Sequence, residues 1–109
     1  GNAIAQYNLG LMYDNGDGVP EDDTEAVKWY RKAAEQGLAN AQYNLGVMYA
    51  NGEGVPEDNV VAYMWLNLAA AQGHEDAKTN KGVVSEDMTK EQIAEAQKLS
   101  REWMANRQN

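Results

Sequence analysis

The sequence repeats itself every 36 residues, and nothing else in it constrains the fold as strongly. Ala5-Gln6-Tyr7-Asn8-Leu9-Gly10 returns as Ala41-Gln42-Tyr43-Asn44-Leu45-Gly46, and Gly18-Val19-Pro20-Glu21-Asp22 returns as Gly54-Val55-Pro56-Glu57-Asp58. Residues 1–36 and 37–72 share 22 of 36 positions, with Gly, Pro, Trp and Tyr in step. A third, fainter copy begins at Gly73, with Ala77, Asn80 and Gly82 in phase. A unit this short cannot bury both of its faces alone, so the repeat predicts a stacked array whose members bury one another.

Each unit reads as a helical hairpin. Its first helix is expected over about 3–14 and again over 39–50, with Ala5, Leu9, Met12 and Tyr13 at helical spacing toward the paired helix. Asn15-Gly16-Asp17-Gly18-Val19-Pro20 stops it, because glycine supplies positive φ after the last turn and proline holds its predecessor extended. The second helix starts at Asp22, a capping carboxylate with Glu25 as its capping-box partner, and runs to about Gln36, where Gly37 ends it. Ala26, Trp29, Tyr30, Ala33 and Ala34 are expected inward, as are Ala62, Trp65, Leu66, Ala69 and Ala70 one repeat later.

The ending departs from the pattern. Lys81 replaces the repeated leucine, the Gly-Pro loop is missing, and Thr89 with Gln92 forms a new capping-box signature. The final helix, about 90–106, turns Ile93, Ala96, Leu99 and Trp103 to the array and leaves Lys90, Lys98, Arg101, Glu102 and Arg107 for water. The predicted plan is therefore all-α with about six helices: repeats at 1–36 and 37–72, a partial third at 73–88 and a capping helix at 89–109. Gly1 aligns with Gly37, so the chain opens on a repeat boundary without a polar cap, as a segment of a longer array would.

Composition narrows function. Nine Lys+Arg against 17 Asp+Glu give a net charge of −8, which disfavours nucleic acid and anionic membrane surfaces. No apolar run approaches the roughly 18 residues of a membrane span. The absence of Cys excludes a disulfide framework, a zinc finger and a cysteine nucleophile, and fits reducing and oxidising compartments alike.

The motif Ala-Gln-Tyr-Asn-Leu-Gly-x-Met-Tyr, then Asn-Gly-x-Gly-Val-Pro-Glu-Asp, then Ala-x-x-Trp with a later Ala-Ala-x-Gln-Gly, resembles the Sel-1-like repeat, a relative of the tetratricopeptide repeat. The resemblance covers residues 1–82, and the tail from Met88 to Gln97 is similar to the helix that closes bacterial members. It implies a right-handed α-solenoid of antiparallel helix pairs, without cofactor or metal, used as a scaffold for protein–protein contacts. In the related tetratricopeptide proteins, one face of the first helix lines a concave groove. The matching positions here are Ile4, Tyr7, Asn8, Leu11 and Asn15, then Asn40, Tyr43, Asn44, Val47 and Asn51, then Asp76, Thr79, Asn80 and Val83. Tyrosine offers apolar area at low entropy cost, and an amide both donates to and accepts from a peptide backbone. The competing reading packs Tyr7 and Tyr43 between helices and spends Asn8 and Asn44 on neighbouring groups. Lys78 and Lys81 are the only cations near this face, so a neutral or basic protein segment suits it better than an acidic one.

Other chemistries fit the residues less well. An EF-type calcium loop from Asp14 would place Gly16 and Gly18 at ligand positions, and Ala50 replaces Asp14 in the second copy. His74 has no second His or Cys for zinc and reads as an exposed helix-start residue. Ser85 and Ser100 lie outside any nucleophile-elbow pattern. The acidic pairs at Glu21/Asp22/Asp23 and Glu57/Asp58 fall in loops expected to be solvated, and Lys28, Arg31 and Lys32 form a short basic stripe. Two alternatives to a binding module follow. One is a purely structural spacer. The other is a β-lactam-binding or β-lactam-hydrolysing enzyme, as implied by cysteine-rich relatives whose repeats each carry a disulfide that this chain lacks.

Overall fold

The computed structural model describes residues 1–107, all of whose regular structure is helical. The helices are α1 (Ala3–Asn15), α2 (Asp23–Glu35), α3 (Ala39–Asn51), α4 (Asn59–Ala71), α5 (Glu75–Ser85) and α6 (Lys90–Arg107). Residues 108 and 109, the end of the expected capping segment, lie outside the described residues.

The loops form as the repeated glycines require. Gly16 and Gly52 take φ of 66° and 68°, a left-handed turn in which their N–H groups donate to the carbonyls of Met12 and Met48. The chain then returns to the helix it has left: Asp22 N–H donates to Tyr13 O at 2.9 Å, and Asp58 N–H to Tyr49 O at 3.0 Å. Asp22 Oδ1 accepts from Glu25 N, and Asp58 Oδ1 from the amides of Val60 and Val61. The expected capping box at Asp22 is thus only half formed. The amide that the Glu25 side chain would have accepted is already donated to Tyr13.

Each pair is antiparallel, which two glutamine contacts make plain. Gln36 at the end of α2 donates to Gln6 near the start of α1 at 2.6 Å, and Gln72 donates to Gln42 at 3.0 Å. Within each pair a glycine lets the helices close. A Cβ at Gly10 would stand 2.5 Å from the Tyr30 ring, and one at Gly46 would stand 2.8 Å from Leu66 Cγ. Pairs then stack through α2 on α3 and α4 on α5, burying Ala33, Ala34, Ala41, Leu45, Met48, Trp65 and Leu68 in one core and Leu66, Ala69, Ala70 and Ala77 in another. Gln42 is fully buried in that stack, its amide donating to Ala34 O.

Two expectations are corrected here. Ala5 is exposed rather than turned to a partner: its repeat mate Ala41 is buried among Ala33 and Ala34 of the preceding pair, and no helix precedes α1 in the chain described. Arg107 does not simply face water. Its Nη1 donates to Glu35 O at 2.6 Å while its guanidinium lies over the Trp103 ring.

The last helix begins with a reciprocal capping box, Thr89 N–H to Gln92 Oε1 at 2.9 Å and Gln92 N–H to Thr89 Oγ1 at 3.0 Å. It then packs on α4 instead of on its own neighbour α5. Ala96 and Ser100 are buried there, and Trp103 meets Trp65 edge to face at 5.9 Å. Gly82, which holds the place of Gly10 and Gly46, therefore has nothing within 4 Å of a built Cβ. The array is an all-α solenoid of two full helix pairs and a terminal unit whose second helix leans back along the first two.

This contrast sets opposite expectations for one substitution. Gly46→Ala should lower stability by about 1–3 kcal/mol, because Leu66 and the Ala62 carbonyl must move. Gly82→Ala should leave it unchanged or raise it by up to about 1 kcal/mol through helix propensity alone. Urea unfolding of both variants checks this; equal effects would mean that close approach does not set the spacing of α3 and α4.

Candidate functional site

One wall of the array is built from α1, α3 and α5, and the positions singled out in the sequence divide along it into free and engaged groups. Ile4 (61% exposed), Asn8, Asn15, Asn40, Asn51, Asp76, Thr79 and Val83 (57% exposed) are open to solvent. Tyr7 and Leu11 are half-buried against the core, with the Tyr7 ring 5.8 Å from that of Tyr30. Tyr43 is half-buried and stacked on His74 at 4.6 Å, and its hydroxyl accepts from Asn80 Nδ2 at 3.0 Å. Asn44 lies beside the Tyr30 hydroxyl, and Val47 packs toward the Leu66 cluster. The tyrosines thus serve packing as well as the wall; the amides of Asn8, Asn15, Asn40 and Asn51 are exposed, that of Asn51 donating to Glu53 Oε1 at 3.4 Å.

The spaces between successive wall helices, here called joints, differ in a way that matters. In the joint between α1 and α3, Tyr30 lies fully buried over Gly10, its hydroxyl donating to Asp14 Oδ2 at 2.9 Å with the Asn44 amide nearby. Burial pushes this hydroxyl far above the ordinary tyrosine value; Asn44 opposes the shift and the Asp14 carboxylate adds to it. In the joint between α3 and α5, Leu66 stands for Tyr30, Ala50 for Asp14 and Asn80 for Asn44. A cleft of about 160 Å³ opens there, lined by Val47, Ala50, Asn51, Leu66, Asn80 and Val83 among others. Val47, Asn51, Asn80 and Val83 are brought together by this cleft. The two substitutions that create it are visible in the repeat alignment, among the 14 positions at which the copies differ.

Charge around the wall follows from local pairing. Lys78 pairs with Glu75 at 3.5 Å, and Lys81 donates to Asn67 Oδ1 at 3.2 Å beside the Tyr63 ring, so it turns toward α4. His74 is half-buried rather than exposed, because its Nδ1 accepts from Ala77 N–H as the cap of α5 while its ring stacks on Tyr43. On the opposite wall the basic stripe is dispersed. Lys28 sits 4.0 Å from Glu25, Arg31 donates to the Tyr49 hydroxyl, and Lys32 lies 4.4 Å from the Trp29 ring centre. Both serines donate to helix carbonyls, Ser85 to Gly82 O at 2.7 Å and Ser100 to Ala96 O at 3.0 Å. Among the described residues no helix is long and apolar enough to cross a membrane.

Comparison with known proteins agrees with the fold. The family model of the Sel1 repeat matches residues 3–38 and 39–74. Among solved structures, the chain is similar to a protective antigen of uropathogenic Escherichia coli strains that displays an SLR fold, with 37% identity and a TM-score of 0.93 over 96% of this chain. It is also similar to a Sel1 repeat protein from Oxalobacter formigenes, with 43% identity and a TM-score of 0.75 over 77% of this chain. The chain spans 23% of the first of those proteins and 35% of the second. None of the curated proteins matches it.

The buried phenol gives a pH signature. Its folded-state pKa lies above the unfolded value of about 10, so its contribution is complete below that pH and is lost as pH rises beyond it. Tyr30→Phe should cost about 1 kcal/mol at neutral pH through the lost Asp14 bond. Between about pH 9 and pH 11 its stability should then fall less steeply than that of the parent chain. Urea midpoints across that range test the expectation, and parallel losses in the two proteins would contradict it.

Proposed function

The chain belongs to the Sel1 repeat family, whose members are typically protein-interaction scaffolds, and on that premise we propose that it is a non-catalytic module holding an extended, neutral or basic protein segment along the wall of α1, α3 and α5. The observation that carries this reading is the row of exposed amides at Asn8, Asn15, Asn40 and Asn51, running into a cleft between α3 and α5. Amides offer a donor and an acceptor each to a peptide backbone, and the apolar cleft offers a side chain somewhere dry to go. The two lysines nearest the wall are drawn to Glu75 and Asn67, while the chain as a whole carries −8, which favours a guest that brings no negative charge. The non-catalytic part of the reading is supported by the state of the hydroxyls: Ser85 and Ser100 are tied to helix carbonyls and Tyr30 is sealed in the core. A spacer role would need none of these features, since a spacer has no use for a row of exposed amides on one wall.

Selection of linear peptides from a random library against the immobilised chain tests the proposal. Amide shifts caused by a selected peptide should map onto α1, α3 and α5, and Asn8→Ala with Asn40→Ala should weaken it about tenfold, as loss of two hydrogen bonds would, without lowering the melting temperature. Shifts confined to α2, α4 and α6 would place the partner on the other wall, and failure to select any saturable binder would favour the spacer.

A further inference from the structure

The first joint shows what the second lacks. Tyr30 and Leu66 sit one repeat apart, over Gly10 and Gly46 respectively, and reach into equivalent spaces. In the first, a fully buried phenol ring occupies the space, its hydroxyl donating to Asp14. In the second, leucine is too short to do so and Ala50 withdraws the carboxylate, which leaves about 160 Å³ between α3 and α5. A cavity of about 150 Å³ lined by apolar side chains is enough to bind benzene, so one aromatic ring fits this volume. Asn80 spends its amide N–H on Tyr43, which leaves its carbonyl oxygen free at the cleft to accept from a hydroxyl.

Charge close in sequence to the cleft lining narrows the guest further. Glu53 follows Asn51 by two residues, and Glu86 and Asp87 follow Val84 by two and three, all three exposed. The ion pairs among the described residues are Lys28 with Glu25 and Lys78 with Glu75, so these three carboxylates have no cation of their own.

We propose that the α3–α5 cleft is a pocket for an aromatic side chain, a tyrosine above all, carried by a partner segment with Lys or Arg beside it. The ring takes the place that Tyr30 fills in the preceding joint, its hydroxyl meets Asn80, and the neighbouring cation meets Glu53, Glu86 or Asp87. This deepens the scaffold reading and rests on it for the partner being a peptide, but the pocket itself can be tested without any peptide.

Three small phenols that differ only in charge serve as probes: tyramine, para-cresol and para-hydroxyphenylacetate, titrated into the isotope-labelled chain and followed by amide shifts. Tyramine should bind saturably with shifts centred on Val47–Asn51 and Asn80–Val84, several-fold more tightly than para-cresol, and the anionic phenol weakest. Leu66→Tyr, which fills the space from inside, should weaken tyramine at least about tenfold. Ala50→Leu, which narrows the pocket from α3 at a half-buried position, should do the same and serves if the first variant folds poorly. Unsaturable or scattered shifts, or undiminished binding in a folded filling variant, would overturn the pocket. An anionic phenol that binds as tightly as tyramine would overturn the basic flank. Peptides that bind the wall with no aromatic requirement, beside phenols that do not bind, would sink the pocket and spare the scaffold; phenols that bind where no peptide does would do the reverse.

Discussion

A glycine facing a large side chain is the contact on which the rest of the array depends. Gly10 admits Tyr30 and Gly46 admits Leu66, each at a distance that any Cβ would forbid. That approach brings the two helices of a pair close enough for the large side chain to extend past its partner helix into the next joint. What the side chain is then decides the state of that joint. A tyrosine with an acid to meet it closes the space; a leucine facing alanine leaves it open. The third glycine, Gly82, meets nothing, because α6 lies on α4 and leaves this face of α5 bare.

Most of the fold was legible because its signals are local. Gly16 and Gly52 stop helices through a backbone conformation, and Asp22, Asp58 and Thr89 start them through a cap within one turn, so periodicity and punctuation locate all six helices. What escaped the reading depends on neighbours that identical residues do not share. Ala5 and Ala41 have the same letter and opposite burial, because among the described residues Ala41 has a pair stacked before it and Ala5 does not. Gln42 looks like a surface residue and is instead a buried bridge between Ala34 and Gln72. The path of α6 back to Glu35 is set by Trp103 and Arg107 meeting residues far away in sequence, which no local pattern encodes.

The candidate site was legible in outline only. Helical spacing put the amides and rings on one wall, but it could not divide Asn8, Asn15 and Asn40, which are exposed, from Asn51, which donates to Glu53, and Asn80, which donates to the Tyr43 hydroxyl. The open joint was encoded in plain sight, in the places where the repeats differ and not in those where they agree. Identity between copies reports what every unit needs in order to stack; divergence at Tyr30/Leu66 and Asp14/Ala50 reports what one joint does that the other does not. Under the proposal, a scaffold of repeated units would acquire a distinct binding position in this way without changing its fold.

The claim that the two joints are one geometry with different contents is tested most directly by a crystal structure of the Ala50→Asp/Leu66→Tyr double variant. The account predicts that the introduced ring lies in the α3–α5 cleft with its hydroxyl on the introduced carboxylate, and that α5 keeps its place against α3 and α4. A ring turned out to solvent, or an α5 displaced to make room for it, would contradict the claim.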